Sequence, residues 1–259
     1  MKLFYSYIKS LLSTGLLVSM LFFGACNNED ANDCVQAAGS IKSEERAVDV
    51  FSRILVNEGI SLVVKQGDEY KLEVSSGANL LNDIDVEVVD NQLILTNNNV
   101  CNFFRDYDLT TIYVTTPTIS EIRSATQREI RSDGVLEVEK LAVYSENYNN
   151  NEYLTSADIH LELKVASLQM VFNGISNMYV TGTAENLNIN FASGNSRFEG
   201  RDFPVENATI YHRSSNDIVV NASVSLKGNI YSTGDVISVG NPESVDITEH
   251  YKGKLINED

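Results

Sequence analysis

A repeat with a period near 20 residues constrains the fold of this chain more than any other feature. Within residues 168–234, apolar side chains recur at intervals of 19, 21 and 18 residues, and recur again two and four residues further on. The apolar columns are Leu168, Leu187, Ala208 and Leu226; Met170, Ile189, Ile210 and Gly228; and Phe172, Phe191, His212 and Ile230. Two small or polar columns follow: Gly174, Ser193, Ser214 and Ser232, then Ser176, Asn195, Asn216 and Gly234. This pattern predicts a β-solenoid, in which each coil buries its apolar face against its neighbours.

The chain before the repeat shows the two-residue alternation of half-buried strands. Apolar residues alternate along residues 60–75 on both sides of the turn-forming sequence QGDE at 66–69, which predicts a hairpin. The same alternation surrounds Asp90-Asn91-Gln92 within residues 84–95 and predicts a second hairpin. We therefore expect an all-β protein, with an N-terminal β meander running into a right-handed β-solenoid with repeats of about 20 residues.

Two segments of this alternating region resemble a known family. ISLVVKQGDEYKLEVSS at 60–76 and ANLLNDIDVEVVDNQLIL at 78–95, together with the repeat, resemble the DUF2807 family, the GIN domain described as an autotransporter adhesin head. The resemblance covers roughly residues 46–251. The SGAS-like corner motif of the family is degraded here to NGIS, ASGN, RSSN and STGD. The resemblance implies a surface adhesin with a repetitive β fold.

The amino end has the pattern of a bacterial lipoprotein signal peptide. The apolar run at residues 11–23 is shorter than the roughly 20 residues of a membrane span and fits a secretory signal. Residues 23–26, FGAC, resemble the lipobox, in which cleavage precedes the cysteine and its sulfur is acylated. Ordinary secretory cleavage that leaves a free thiol is the alternative. We expect a lipoprotein signal peptide at 1–25, a lipidated Cys26 with a polar linker at 26–45, and a GIN-type β-solenoid domain at 46–259.

The residues after Cys26 indicate where the protein is displayed. Asn27-Asn28-Glu29-Asp30 resembles the acidic tract that follows the lipidated cysteine in surface-exposed lipoproteins of the Bacteroidetes. A solvated linker is the alternative. The sequence therefore predicts an outer-membrane lipoprotein of the cell envelope that faces outward and contacts the membrane through its lipid anchor.

Net charge and cysteine spacing limit the partners. The formal net charge is −17, and no basic residues are clustered as phosphate binding requires, so we expect no nucleic-acid partner. Cys34 and Cys101 are expected in a compartment where disulfides persist, and a bridge would fix the linker to the end of the first β segment. Two unpaired thiols fit the sequence equally well. The cysteine and histidine spacing is not that of a zinc site.

One strand carries three ionisable side chains on a single face. Asp158, His160 and Glu162 alternate with apolar residues, so all three should point outward, about 6.6 Å apart along the strand. That spacing is too wide for all three to share one small ion without help from another strand, so they are weak metal candidates and we expect no cofactor. A solvated outer face is the better interpretation. His212 and His250 each stand alone and are expected to be structural.

The last candidates are tyrosines around the asparagine-rich loop NYNNNEY at 147–153. Tyr107, Tyr144, Tyr148 and Tyr153 are expected to be exposed, and aromatic faces beside amides suit contact with a glycan or a surface protein. A long loop with structural tyrosines is the alternative.

The function predicted is an adhesin-like or scaffold binding module without catalysis. The alternative is a carbohydrate-active β-helix enzyme of the polysaccharide lyase or hydrolase type, since fold alone does not decide activity. Such an enzyme needs basic and acidic groups that converge in a groove, and this sequence scatters them. The chain also lacks the G-x-S-x-G pattern of a serine nucleophile.

Overall fold

The structure, a computed structural model, describes residues 33–103, 105–106 and 109–258, and strands dominate this part of the chain. The strands are β1 (Ile41–Arg46), β2 (Arg53–Val56), β3 (Ser61–Gln66), β4 (Lys71–Gly77), β5 (Ile84–Val89), β6 (Gln92–Asn97), β7 (Thr111–Thr116), β8 (Glu121–Ser124), β9 (Ile130–Ser145), β10 (Asp158–Phe172), β11 (Asn177–Phe191), β12 (Arg197–His212), β13 (Ile218–Ile230), β14 (Val236–Ser238), β15 (Ser244–Glu249) and β16 (Leu255–Asn257). Two single 3₁₀ turns span Asp33–Val35 and Leu81–Asp83.

The strands form one large, mostly parallel and open sheet, which confirms the all-β prediction. The main path runs β1-β4-β7-β3-β9-β10-β11-β12-β13-β14-β16. The long strands β9–β13 each carry two rows of partners. Their first halves continue the row of β7 and β3, and their second halves continue a row in which β6, β2 and β8 lie beside one another. β15 extends that second row beyond β13.

The three predicted apolar columns are confirmed as columns of direct cross-strand partners. Leu168, Leu187, Ala208 and Leu226 pair in sequence across β10–β13, and the columns two and four residues later do the same. Phe172 and Phe191 stack with their ring centroids 5.6 Å apart. Because the side chains of a strand alternate in direction, these columns place one continuous core on the inner face of the sheet.

In one repeat unit, the residue predicted for the second corner column is one position away from the residue that occupies it in the structure. Ser176 is buried and pairs through its hydroxyl with Ser145, but the corresponding buried residue of the next unit is Ser196, while Asn195 is exposed. The corner between Phe191 and Arg197 holds one residue more than the preceding corner. Gly194 accommodates the extra residue with a φ of 89°, in the left-handed region that glycine adopts without strain.

The prediction of an N-terminal β meander is wrong for one of its two hairpins. β5 and β6 form the predicted antiparallel hairpin, with Asp90 and Asn91 at positive φ in its turn. β3 and β4 do not pair with each other, because β7 lies between them and pairs with both. Residues 66–69 do turn the chain. The alternation identifies the buried face of each strand but does not identify its partner.

Part of the predicted linker belongs to the fold. β1 pairs along its whole length with β4. The side chain of Gln36 is buried and donates to the backbone carbonyl of Asn79 at 3.0 Å, and Arg105 donates to the carbonyl of Asp33 at 2.9 Å. The described fold therefore starts before residue 46. The predicted signal peptide and Cys26 lie outside the described residues.

No helix in the described ranges is long and apolar enough to cross a membrane.

Gly228 interrupts the second apolar column because a side chain does not fit there. Its φ is 146°, and a Cβ atom would lie 1.9 Å from the backbone oxygen of Ile210, its partner on β12. Gly134 also has a positive φ, 86°, but a Cβ atom there would meet no atom within 4 Å. A comparison of the two positions therefore separates the free-energy cost of a positive φ from the free-energy cost of the steric clash.

We predict that Gly228→Ala lowers the free energy of unfolding by about 2 kcal/mol or more. Gly134→Ala should cost only about 1 kcal/mol, the dihedral component alone. Urea unfolding followed by circular dichroism measures both values. Equal losses in the two variants would contradict the close strand contact at Gly228.

Candidate functional site

A groove of about 550 Å³ on the outer face of the sheet is lined by acidic, basic and aromatic side chains. Its walls and floor include Val63, Tyr113, Glu129, Arg131, Asp158 and His160. They come from β3, β7, β9, β10 and the segments that lead into β9 and β10. Ser156, near the end of the asparagine-rich loop, also lines the groove.

Cross-strand register explains why these side chains meet. Tyr113 is the partner of Val63, Val63 of Arg131, Arg131 of His160, and His160 of Tyr179. Partners in one row project from the same face, and adjacent strands are about 4.8 Å apart. Val63 is only 5% exposed although it points outward, so it forms the floor of the groove. Tyr113, at 42% exposed, stands beside it as a wall.

The charged groups around Glu129 in the groove lie near one another but form no direct hydrogen bonds with each other. Glu129 places one carboxylate oxygen 3.9 Å from Nε of Arg131 and the other 3.9 Å from Nε2 of His160. Both distances exceed a hydrogen bond, and all three side chains are about half exposed. Asp158 accepts a hydrogen bond of 2.9 Å from the side-chain amide of Asn177. Glu129 and Arg131 therefore retain capacity to bind a polar ligand.

The three ionisable side chains on β10 point outward as predicted, but only two of them line the groove. Asp158, His160 and Glu162 are all exposed, and the residues between them are buried. Asp158 and His160 line the groove, whereas Glu162 does not, and its backbone N–H donates to the hydroxyl of Ser132 at 2.9 Å. In the part of the chain that the structure describes, no cluster of three or more His, Cys, Asp or Glu side chains could hold a metal ion.

The tyrosine prediction needs correction. Tyr148 is exposed, but Tyr144 and Tyr153 are half-buried, and Tyr107 lies outside the described residues. The Arg123 guanidinium covers the ring of Tyr144 at 4.5 Å from its centroid and pairs with the buried carboxylate of Glu146. Tyr144 is thus shielded by a residue of β8, a neighbour that the local sequence does not reveal. Only Tyr148 offers a freely accessible ring in the loop.

Sequence reasoning missed the aromatic pairs on the outer face. Tyr231 and His250 stack at 4.2 Å with their planes 8° apart, and Tyr211 lies 5.1 Å from Tyr231. His160 and Tyr179 stack in the same way at 4.7 Å. Each ring covers one face of its partner, so these pairs stabilise the contact between adjacent strands. The repeat period could have revealed them.

His212 is a histidine within the apolar core. It is fully buried beside Phe191, and neither ring nitrogen makes a hydrogen bond of good geometry with the described residues. Burial lowers the pKa of His212 from 6.5 to about 4, and the carboxylate of Asp217 and the backbone of Gly234 only partly oppose this shift. The side chain is therefore neutral at physiological pH and acts as an apolar member of its column.

We predict that His212 makes the protein less stable in acid. As the pH falls below 6.5, the unfolded chain binds a proton that the folded chain does not bind until about pH 4. The free energy of unfolding should therefore fall by about 2 to 3 kcal/mol between about pH 7 and about pH 4.5 from this residue alone. Urea unfolding at both pH values should show this component in the wild type and in the exposed-site control His250→Gln, and should lack it in His212→Ile. The same pH dependence in wild type and His212→Ile would refute the assignment.

Cys34 and Cys101 are joined by a disulfide in the structure, with their Cα atoms 4.6 Å apart. The bond connects the 3₁₀ turn at Asp33–Val35 to the segment after β6. The backbone N–H of Phe103 donates to the carbonyl of Cys34 at 3.0 Å, so the bridge and the backbone fix the same contact.

The disulfide predicts a specific labelling pattern for residues 27–259, from which Cys26 is absent. Protein unfolded without reductant should take up no thiol label, and reduced protein should take up label at Cys34 and Cys101. Reduction should also lower the free energy of unfolding by up to about 4 kcal/mol. It removes a cross-link between residues 67 positions apart and so increases the conformational entropy of the unfolded chain. Two labelled thiols before reduction would rule out the bond.

The family model described as "Putative auto-transporter adhesin, head GIN domain" (DUF2807) matches residues 50–242. The chain belongs to this family. The resemblance seen in the alternating segments and the repeat is therefore confirmed. No curated protein matches this GIN-domain chain.

Solved structures with the same fold include proteins from Bacteroides and Parabacteroides species. A putative adhesin from Bacteroides fragilis superposes with a TM-score of 0.77 at 17% identity, over 86% of this chain and 99% of that one. A putative adhesin from Parabacteroides merdae gives 0.62 at 15% identity, over 85% and 97%. A putative lipid binding protein from Parabacteroides distasonis gives 0.61 at 18% identity, over 84% and 97%. At these identities the likeness establishes the fold.

Proposed function

We propose that this GIN-domain protein is an adhesin-like or scaffold module of the cell envelope, which binds its partner without turnover. The observation that carries the proposal is the match of residues 50–242 to the adhesin-head family. The outer face supports it, since a stable sheet holds a row of exposed side chains at fixed spacing. Tyr148 in the loop and the row that lines the groove are the contact surfaces that the proposal uses, and Tyr144 and Tyr153 support the loop.

The proposal includes a location. The FGAC sequence at 23–26 and the apolar run before it support a lipid anchor at Cys26 in the outer membrane, and the acidic residues after Cys26 support outward display. An acidic protein is repelled by anionic head groups, which favours attachment by the lipid over adsorption of the folded part.

The proposal also includes a shape. We interpret the open parallel sheet as a right-handed β-solenoid that presents long, regular faces. The support is the register, because Ile159, Met178, Phe198, Ile218, Val236 and Leu255 follow one another as partners at intervals of 18 to 20 residues. A solenoid is nearly one-dimensional, so binding would be distributed over several coils.

One observation favours the enzymatic alternative. Contrary to the scatter expected from the sequence, Glu129, Arg131, Asp158 and His160 converge on one groove, as acid–base chemistry would require. Their half-exposed side chains fit binding better, because acid–base catalysis is favoured in a site that excludes water. Release of product from a polysaccharide by the purified protein, lost in Asp158→Ala or His160→Ala, would replace the binding proposal with catalysis.

Cell fractionation tests the envelope placement. We predict that the wild-type protein is in the membrane fraction and is removed from intact cells by added protease, whereas Cys26→Ser moves to the soluble fraction. Cys34→Ser is the matched control and should stay with the membrane, because only the lipobox cysteine is acylated. Wild-type protein in the soluble fraction would contradict the anchor, and protection from protease in intact cells would contradict outward display.

A further inference from the structure

We propose that the groove lined by Val63, Tyr113, Glu129, Arg131, Asp158 and His160 is a binding site for a neutral hexose glycan. The inference rests on the proposed binding function and adds a ligand class and a location to it. It depends on three properties of the groove, namely the absence of free strand edges, the combination of an apolar floor with an aromatic wall, and balanced charge.

Recognition in this groove must use side chains. β7 pairs with β4 and β3, β3 pairs with β7 and β9, and β10 pairs with β9 and β11, so the strands that line the groove are paired on both sides. A peptide that binds by adding a strand needs an unpaired edge, and these strands offer none to it. A ligand recognised by hydrogen bonds from side chains and by contact with an aromatic ring fits this site better.

The groove matches a pyranose ring in its apolar part. Val63 gives a small apolar floor, and the exposed ring of Tyr113 stands on the neighbouring strand beside it. Such a surface accepts the C–H face of a sugar and is too small to hold an acyl chain, since the charged residues begin one strand away at Arg131. Large rigid aromatic side chains provide contact area at little cost in conformational entropy.

The polar part of the groove matches hydroxyl groups. A sugar hydroxyl both donates and accepts a hydrogen bond, so adjacent hydroxyls can donate to Glu129 and accept from Arg131 or His160. The gaps of 3.9 Å around Glu129 are too long for direct hydrogen bonds, and a hydroxyl bound to both partners would connect the charged groups. Hydrogen bonds to charged groups are the stronger ones in such a site.

Charge distinguishes neutral from acidic glycans. Arg128 and Arg131 are balanced in the groove by Glu129 and Asp158, and the chain as a whole carries a net charge of −17. A uronate chain would gain little from a balanced groove and would be repelled by the rest of the protein. The structure therefore favours a neutral hexose polymer.

Isothermal titration of residues 27–259 tests the inference with named probes. The probes are hexasaccharides of β-linked glucose, mannose and galactose, with hexagalacturonate as the charged comparison. We expect at least one neutral probe to bind more tightly than the uronate. Glu129→Gln and Tyr113→Ala should each weaken that binding by about tenfold or more. Glu139→Gln changes an exposed carboxylate elsewhere on β9 and should leave the affinity within about twofold.

The outcomes separate this site from the proposed function. Binding that survives Glu129→Gln and is lost in Tyr148→Ala would move the ligand to the loop, which overturns the groove and leaves the adhesin role intact. Stronger binding of the uronate would overturn the ligand class. If no probe binds while the protein still adheres to a panel of matrix proteins, the inference fails alone. If it adheres to neither, the inference and the proposed function fail together. Circular dichroism of Glu129→Gln, an isosteric change on the surface, verifies that the comparison is made between folded proteins.

Discussion

Parallel pairing of strands at intervals near 20 residues is the interaction on which the rest of this structure depends. It brings chemically similar side chains together, with Phe172 on Phe191 in the core and the amides of Asn195 and Asn216 hydrogen-bonded outside it at 3.2 Å. None of the strands β10–β12 is stable alone. Neighbouring strands supply the partners for its backbone hydrogen bonds and cover its apolar side chains. Adjacent units approach so closely that a Cβ atom would lie 2.0 Å from the backbone oxygen of Gly174 at position 194 and 1.9 Å from that of Ile210 at position 228, which explains the requirement for glycine at both positions.

This construction separates stability from recognition. The inner face and the backbone hydrogen bonds of the lining strands are used by the fold, so these strands present outward side chains for recognition. Those side chains lie in rows whose spacing is set by the strands, and Tyr113, Val63, Arg131 and His160 form one such row across four strands. Substitutions along the row change the binding chemistry without touching the core, a suitable arrangement for a binding module.

The sequence predicts the features that depend on period alone. The apolar columns, the outward direction of Asp158, His160 and Glu162, and the hairpin around Asp90 follow from intervals of two or about 20 residues. The features that depend on strand partners could not be predicted in this way. Alternation in β3 and β4 does not reveal that β7 lies between them, and nothing near Tyr144 indicates that Arg123 covers it. Glu129 and His160 are 31 positions apart in the chain, and only the register of β9 with β10 brings them together.

Hydrogen–deuterium exchange followed by mass spectrometry tests the central claim that stacked parallel strands form the stable body of the protein. The account predicts slow exchange of backbone amides throughout β10, β11 and β12, whose strands are paired on both sides, and faster exchange in the edge strands β15 and β16 and in the loop at 147–153. If amides of β10–β12 exchange as fast as those of the loop, the stacked sheet is not the stable core and the account is wrong.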